Sequence, residues 1–104
     1  PHMHEYGREI SSAHLVAGAE PARTFVSVGA WSFESQIGFG LDDVVLNPGD
    51  TVRTRCTWDN PTDSRVRFGE NTGNEMCFDF VAYWPKQKLS TWALPSTSAR
   101  CTNL

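Results

Sequence analysis

The sequence predicts an all-β fold, an antiparallel jelly-roll β-sandwich, built as a single domain over residues 1–104. Three observations predict it. Short runs rich in Val, Thr and aromatic residues alternate with turn signals at a spacing of about 8–12 residues. No window sustains the roughly 3.6-residue apolar period of an amphipathic helix over several turns. A chain of 104 residues, 39% hydrophobic and 20% charged, can bury one modest core and is too apolar for disorder.

The elements follow from the punctuation. Arg8–Val16 reads as a first strand. Thr24–Trp31 is a second, with Phe25, Ser27, Gly29 and Trp31 on one face and Val26, Val28 and Ala30 on the other. Ser35–Leu46 is expected to hold a third and a fourth, broken near Gly38, Gly40 and Asp42-Asp43. Asn47-Pro48-Gly49-Asp50 is a turn, because Pro fixes φ and Gly accepts the left-handed position. Thr51–Trp58 follows as a strand favoured by Thr, Val and Trp. Asp59–Asp63 is a further turn, Ser64–Phe68 a short strand, and Gly69–Asn74 a polar loop. Met76–Trp84 is the most apolar run and is expected to be a core strand. Residues 86–104 read as an irregular polar tail. Most of Trp31, Trp58, Trp84 and Trp92 are expected in the core, with Trp92 a candidate interface residue.

Charge excludes some partners. Nine Lys/Arg against twelve Asp/Glu leave −3, scattered along the chain. No basic stripe suits nucleic acid, and no apolar run is long enough to span a membrane. The chain opens without a leader, which reads as a mature product or an excised domain.

The candidate chemistry lies in two short segments. In His2-Met3-His4 the two imidazoles are two residues apart, so in an extended chain they share a face and can reach one metal ion. The pair reads either as two nitrogen ligands or as residual tag sequence. In Glu75-Met76-Cys77 the methionine reads either as a core filler or as a thioether ligand. A soft sulfur beside two imidazoles suits copper, particularly Cu(I). Spacing alone does not bring residues 4 and 76 together. Cys56, Cys77 and Cys101 are an odd set, which suggests one pair plus one thiol whose partner is elsewhere.

Three segments together resemble the C-terminal domain of the ascorbate-dependent type II copper monooxygenases, the family of dopamine β-hydroxylase and peptidylglycine α-hydroxylating monooxygenase. The first is His2-Met3-His4-Glu5-Tyr6-Gly7-Arg8, similar to the family's HxHxxG and following basic residue. The second runs from Asn47-Pro48-Gly49-Asp50 to Cys56-Thr57-Trp58. The third runs from Phe68-Gly69 through Glu75-Met76-Cys77-Phe78 to Tyr83-Trp84-Pro85. The resemblance covers residues 2–85.

The resemblance implies the following. His2, His4 and Met76 are the ligands of one catalytic copper, where dioxygen is activated and an activated C–H bond is hydroxylated. Glu75 orients a ligand or caps its loop. Gly7 lets the chain turn closely behind the ligand pair. Cys56 and Cys77 form a disulfide that holds Met76 in place. A loop of about 20 residues contributes about 3 kcal/mol in the chain-entropy model. Cys101 is left unpaired, its partner lying upstream.

A preceding copper domain, absent here, supplies electrons from ascorbate, and His14 does not replace it. Copper turnover by this chain alone is therefore not expected. The polar groups that the peptide-processing branch carries two and four residues after its Met ligand are Phe78 and Phe80 here, which favours a more apolar small organic substrate. A disulfide-bearing copper protein belongs outside the reducing cytosol, so a secreted, periplasmic or lumenal setting is expected.

Two rival readings remain. In a cupin, His2 and His4 would share a metal with Glu9, but the expected second-motif histidine is Val52 and Glu75-Met76-Cys77 is left without a role. The other rival is a non-catalytic copper-binding or interaction module. Of the remaining acidic residues, Asp50 reads as a turn residue and Glu5 as a surface charge, while His14 reads as a strand residue facing solvent or a neighbour.

Overall fold

A computed structural model describes residues 1–85. Its regular structure is all β: β1 (Gly7–Leu15), β2 (Arg23–Val28) and β3 (Thr51–Trp58). They form one antiparallel sheet in the order β2-β1-β3. There is no α-helix among the described residues; a three-residue 3-10 turn, Val16–Gly18, leaves the end of β1.

β1 is central because it carries the apolar positions. Ile10, Ala13 and Leu15 are buried, and they gather with Met3 and Val26 into a small core. β3 alternates as a half-covered strand should, with Val52, Thr54 and Cys56 half-buried and Thr51, Arg53, Arg55 and Thr57 exposed. Register is set by rungs such as Ile10 with Cys56 and Ser12 with Thr54. The hydroxyls of that second rung lie 2.9 Å apart, which satisfies the buried Ser12.

The Asn47–Asp50 turn forms as expected. Asp50 N–H donates to Asn47 O at 3.0 Å, and Gly49 takes φ +93°, a region that favours glycine. Asp50 does more than turn the chain. Its carboxylate also accepts from Asn47 N (2.9 Å), Ala17 N (2.9 Å) and His14 Nε2 (2.8 Å). It thereby ties this turn to the far end of β1, and His14 faces a neighbour, as the sequence suggested.

Several expected elements are not strands. Residues 35–46 hold none, since Gly38, Gly40 and Asp42-Asp43 leave too short an uninterrupted run. Ser64–Phe68 and Met76–Trp84 contribute only isolated bridges, Phe68 with Glu75 and His2 with Phe78. Beyond Phe78 the apolar run is surface: Phe80, Val81, Tyr83 and Trp84 are all exposed. The tryptophans are correspondingly less central than expected. Trp31 is half-buried, while Trp58 and Trp84 are exposed. Trp92, Cys101 and the tail 86–104 lie outside the described residues.

Candidate metal centre

The two candidate segments meet although 70 residues separate them. His2 exchanges both backbone hydrogen bonds with Phe78, at 2.7 and 3.0 Å. That single antiparallel rung sets His2-Met3-His4 beside Glu75-Met76-Cys77. Between the imidazoles Met3 points the opposite way and is fully buried, so it anchors the segment in the core.

Glu75 closes the junction. It is buried, and Oε2 accepts from His4 N–H at 3.0 Å, from the Trp58 indole N–H at 2.8 Å and from Met76 N–H at 3.3 Å. Oε1 accepts from Tyr6 N–H at 2.7 Å. One carboxyl group thus joins the histidine segment, the end of β3 and the methionine loop. The Cys56–Cys77 disulfide makes the same junction covalently, one residue past Met76.

Each imidazole is held by its Nδ1. His4 Nδ1 lies 2.9 Å from Asn74 O, a carbonyl that can only accept, so Nδ1 carries the proton. His2 Nδ1 lies 2.7 Å from Gln36 Oε1. The Gln36 amide is oriented by its own N–H donation to Phe33 O at 3.1 Å, so its oxygen faces the imidazole. In a neutral imidazole this assignment leaves Nε2 with its lone pair. Neither Nε2 has a hydrogen-bond partner among the described residues. The ring centroids are 5.2 Å apart and nearly perpendicular.

The backing of the site explains Gly7. Gly7 N–H closes a turn onto His4 O at 3.2 Å. A Cβ at Gly7 would lie 2.7 Å from Trp31 Cδ1 and 2.8 Å from Met3 Cε, closer than packed atoms sit. Trp31 is itself fixed by its indole N–H on His4 O at 3.2 Å. The sequence indicated Gly7 and Glu75 but gave no sign of Trp31, Asn74 or Gln36. Their roles come from backbone carbonyls and a loop, which leave no spacing pattern.

Donor chemistry fits copper: two imidazole nitrogens free to bind, and a thioether residue carried by the same junction. Among the described residues no three His, Cys, Asp or Glu side chains gather as a metal site. That removes the cupin arrangement, because Glu9 does not join the histidines. An open cleft of about 240 Å³ lies at the other end of β1, lined by His14, Arg23, Phe25 and Asp43. Its polar side chains are already paired, His14 with Asp50 at 2.8 Å and Arg23 with Asp43 at 3.0 Å.

Fold and disulfide together define a small antiparallel β domain that carries two imidazoles beside a methionine-bearing loop. Comparison with known proteins then places it. The family model for the copper type II ascorbate-dependent monooxygenase, C-terminal domain, matches residues 1–100, and the chain belongs to that family. It is 31% identical over 90 residues to MOXD1 homolog 1 of Drosophila melanogaster, covering 86% of this chain and 13% of that protein. The chain therefore spans about an eighth of the length of that relative. No solved structure matches it at a significant level.

Proposed function

We propose that the chain is a single catalytic-copper domain in which His2, His4 and Met76 hold one copper ion. The observation that carries this reading is the pair of free Nε2 atoms, fixed by Asn74 O and Gln36 Oε1, beside the Glu75-Met76 segment. When bound, copper supplies the redox chemistry by which the family activates dioxygen and hydroxylates a C–H bond, with electrons from ascorbate through a second copper in a preceding domain. The protein's part is to fix both imidazoles in one tautomer, to hold the thioether loop through Glu75 and the disulfide, and to present an apolar surface beside His2.

That surface supports a small apolar substrate. The Phe80 ring lies 5.9 Å from the His2 ring, Phe78 lies 5.7 Å from Phe80, and Phe68 lies 6.0 Å from Phe78. A jelly-roll sandwich, with β2-β1-β3 as one of its sheets, is part of the proposal. So is a secreted or lumenal setting, with which the disulfide is consistent.

Copper titration tests the reading. One equivalent of Cu(I) should bind per chain, and His2→Ala and His4→Ala should each weaken it strongly. Ascorbate-coupled hydroxylation should require the electron-donor domain. Efficient turnover by the isolated chain, or copper binding indifferent to both histidine variants, contradicts it.

A further inference from the structure

The two imidazoles are held in different ways. His4 is buried, and a backbone carbonyl fixes it. His2 is half-buried, and a side chain fixes it: Gln36, from the connection between β2 and β3. The six residues Trp31–Gln36 reach both rings. Trp31 anchors the segment through its N–H on Arg8 O at 2.8 Å and its indole on His4 O. A turn follows, with Ser35 N–H on Ser32 O at 3.1 Å. Phe33 then lies edge-on to His4, 5.7 Å between centroids at 75°. Gln36 ends the segment on His2.

We infer that Gln36 is a positioning residue, which fixes the tautomer and ring plane of His2 so that Nε2 is the nitrogen offered to the metal. The inference rests on the reading of His2 and His4 as ligands. Its logic is local. The Gln36 amide cannot turn over without losing its bond to Phe33 O. Its oxygen therefore stays toward Nδ1, and an acceptor there requires Nδ1–H in a neutral imidazole. A ligand imidazole is oriented by what its other nitrogen meets, and such outer partners matter to metal affinity by about ten- to a hundredfold. Gln36 is an exposed loop residue, so replacing it leaves the core untouched.

Nitrogen NMR of histidine-labelled, metal-free protein tests this at about pH 8, above the ordinary imidazole range. In the wild type, His2 should carry its proton on Nδ1. Gln36→Leu should give a mixture with the Nε2–H form, while Gln36→Glu, which keeps an acceptor, should keep Nδ1–H. Cu(I) competition titration should show Gln36→Leu weakening binding about tenfold, with Gln36→Glu close to wild type.

An unchanged His2 tautomer in Gln36→Leu overturns the inference. So does a changed tautomer with unchanged copper affinity. His2→Ala separates the two levels. If it weakens copper binding and Gln36→Leu does not, the Gln36 role alone falls. If it has no effect either, the ligand reading falls with it.

Discussion

The indole N–H of Trp58, the last residue of β3, donates to Glu75 Oε2 at 2.8 Å. All partners of the Glu75 carboxylate are donors, so a side chain at this position has to accept from every side. Glu75→Gln places an NH2 among N–H groups. It should cost about 1–3 kcal/mol, the usual penalty for buried unsatisfied donors, read as a lower urea midpoint. Copper binding should weaken with it, because Met76 and His4 lose a common anchor. A Glu75→Gln variant with wild-type stability would show that the carboxyl group does not hold the junction.

Gly7→Ala tests the close packing behind the histidines. The added methyl meets Trp31 and Met3 at under 3 Å. Overpacking of this kind costs about 1–3 kcal/mol. Because Trp31 also bonds His4 O, Cu(I) affinity should fall as well. Thermal melting and copper titration on the same variant read the two effects separately.

Removing the Cys56–Cys77 bridge, as the double alanine variant, should lower stability by about 3 kcal/mol in the chain-entropy model. It should also loosen the residue next to the disulfide, Met76. Denaturant melts of the variant against the wild type check the first statement, and the sulfur signal of bound Cu(I) checks the second.

Asp50 sets an acid limit. Backbone N–H donation from Asn47, then from Ala17, and then the bond from His14 hold its carboxyl at about 2, below the ordinary 3.8. A depressed carboxylate contributes stability that is complete above the ordinary value and is lost as pH falls through about 2. Acid unfolding followed by circular dichroism should therefore show a falling limb between these values. Asp50→Asn should flatten that limb. An identical limb in the variant would assign it to other carboxyl groups.

How much of this was legible in the sequence depends on what kind of signal each feature leaves. β3 was legible because Thr and Val favour a strand and turns flank it, and Thr51–Trp58 matches residue for residue; β1 was placed to within one residue at each end. The strand expected over Met76–Trp84 was not found. Its apolarity lies on the surface, and the His4 N–H that a continuing ladder would use goes to Glu75. His2 and His4 were legible as a candidate pair from their spacing, but only the likeness to a family joined them to Met76, since spacing does not bring residue 4 to residue 76. Gln36 was not legible at all, because its role depends on where a loop crosses the site.

The central claim is that Met76 supplies sulfur to a metal held by two histidines. X-ray absorption of the Cu(I)-loaded chain and of Met76→Ala tests it most directly. A sulfur scatterer in the wild type that vanishes in the variant, with the nitrogen shell retained, is the predicted result. A sulfur scatterer that persists in Met76→Ala, or none in the wild type, would contradict it.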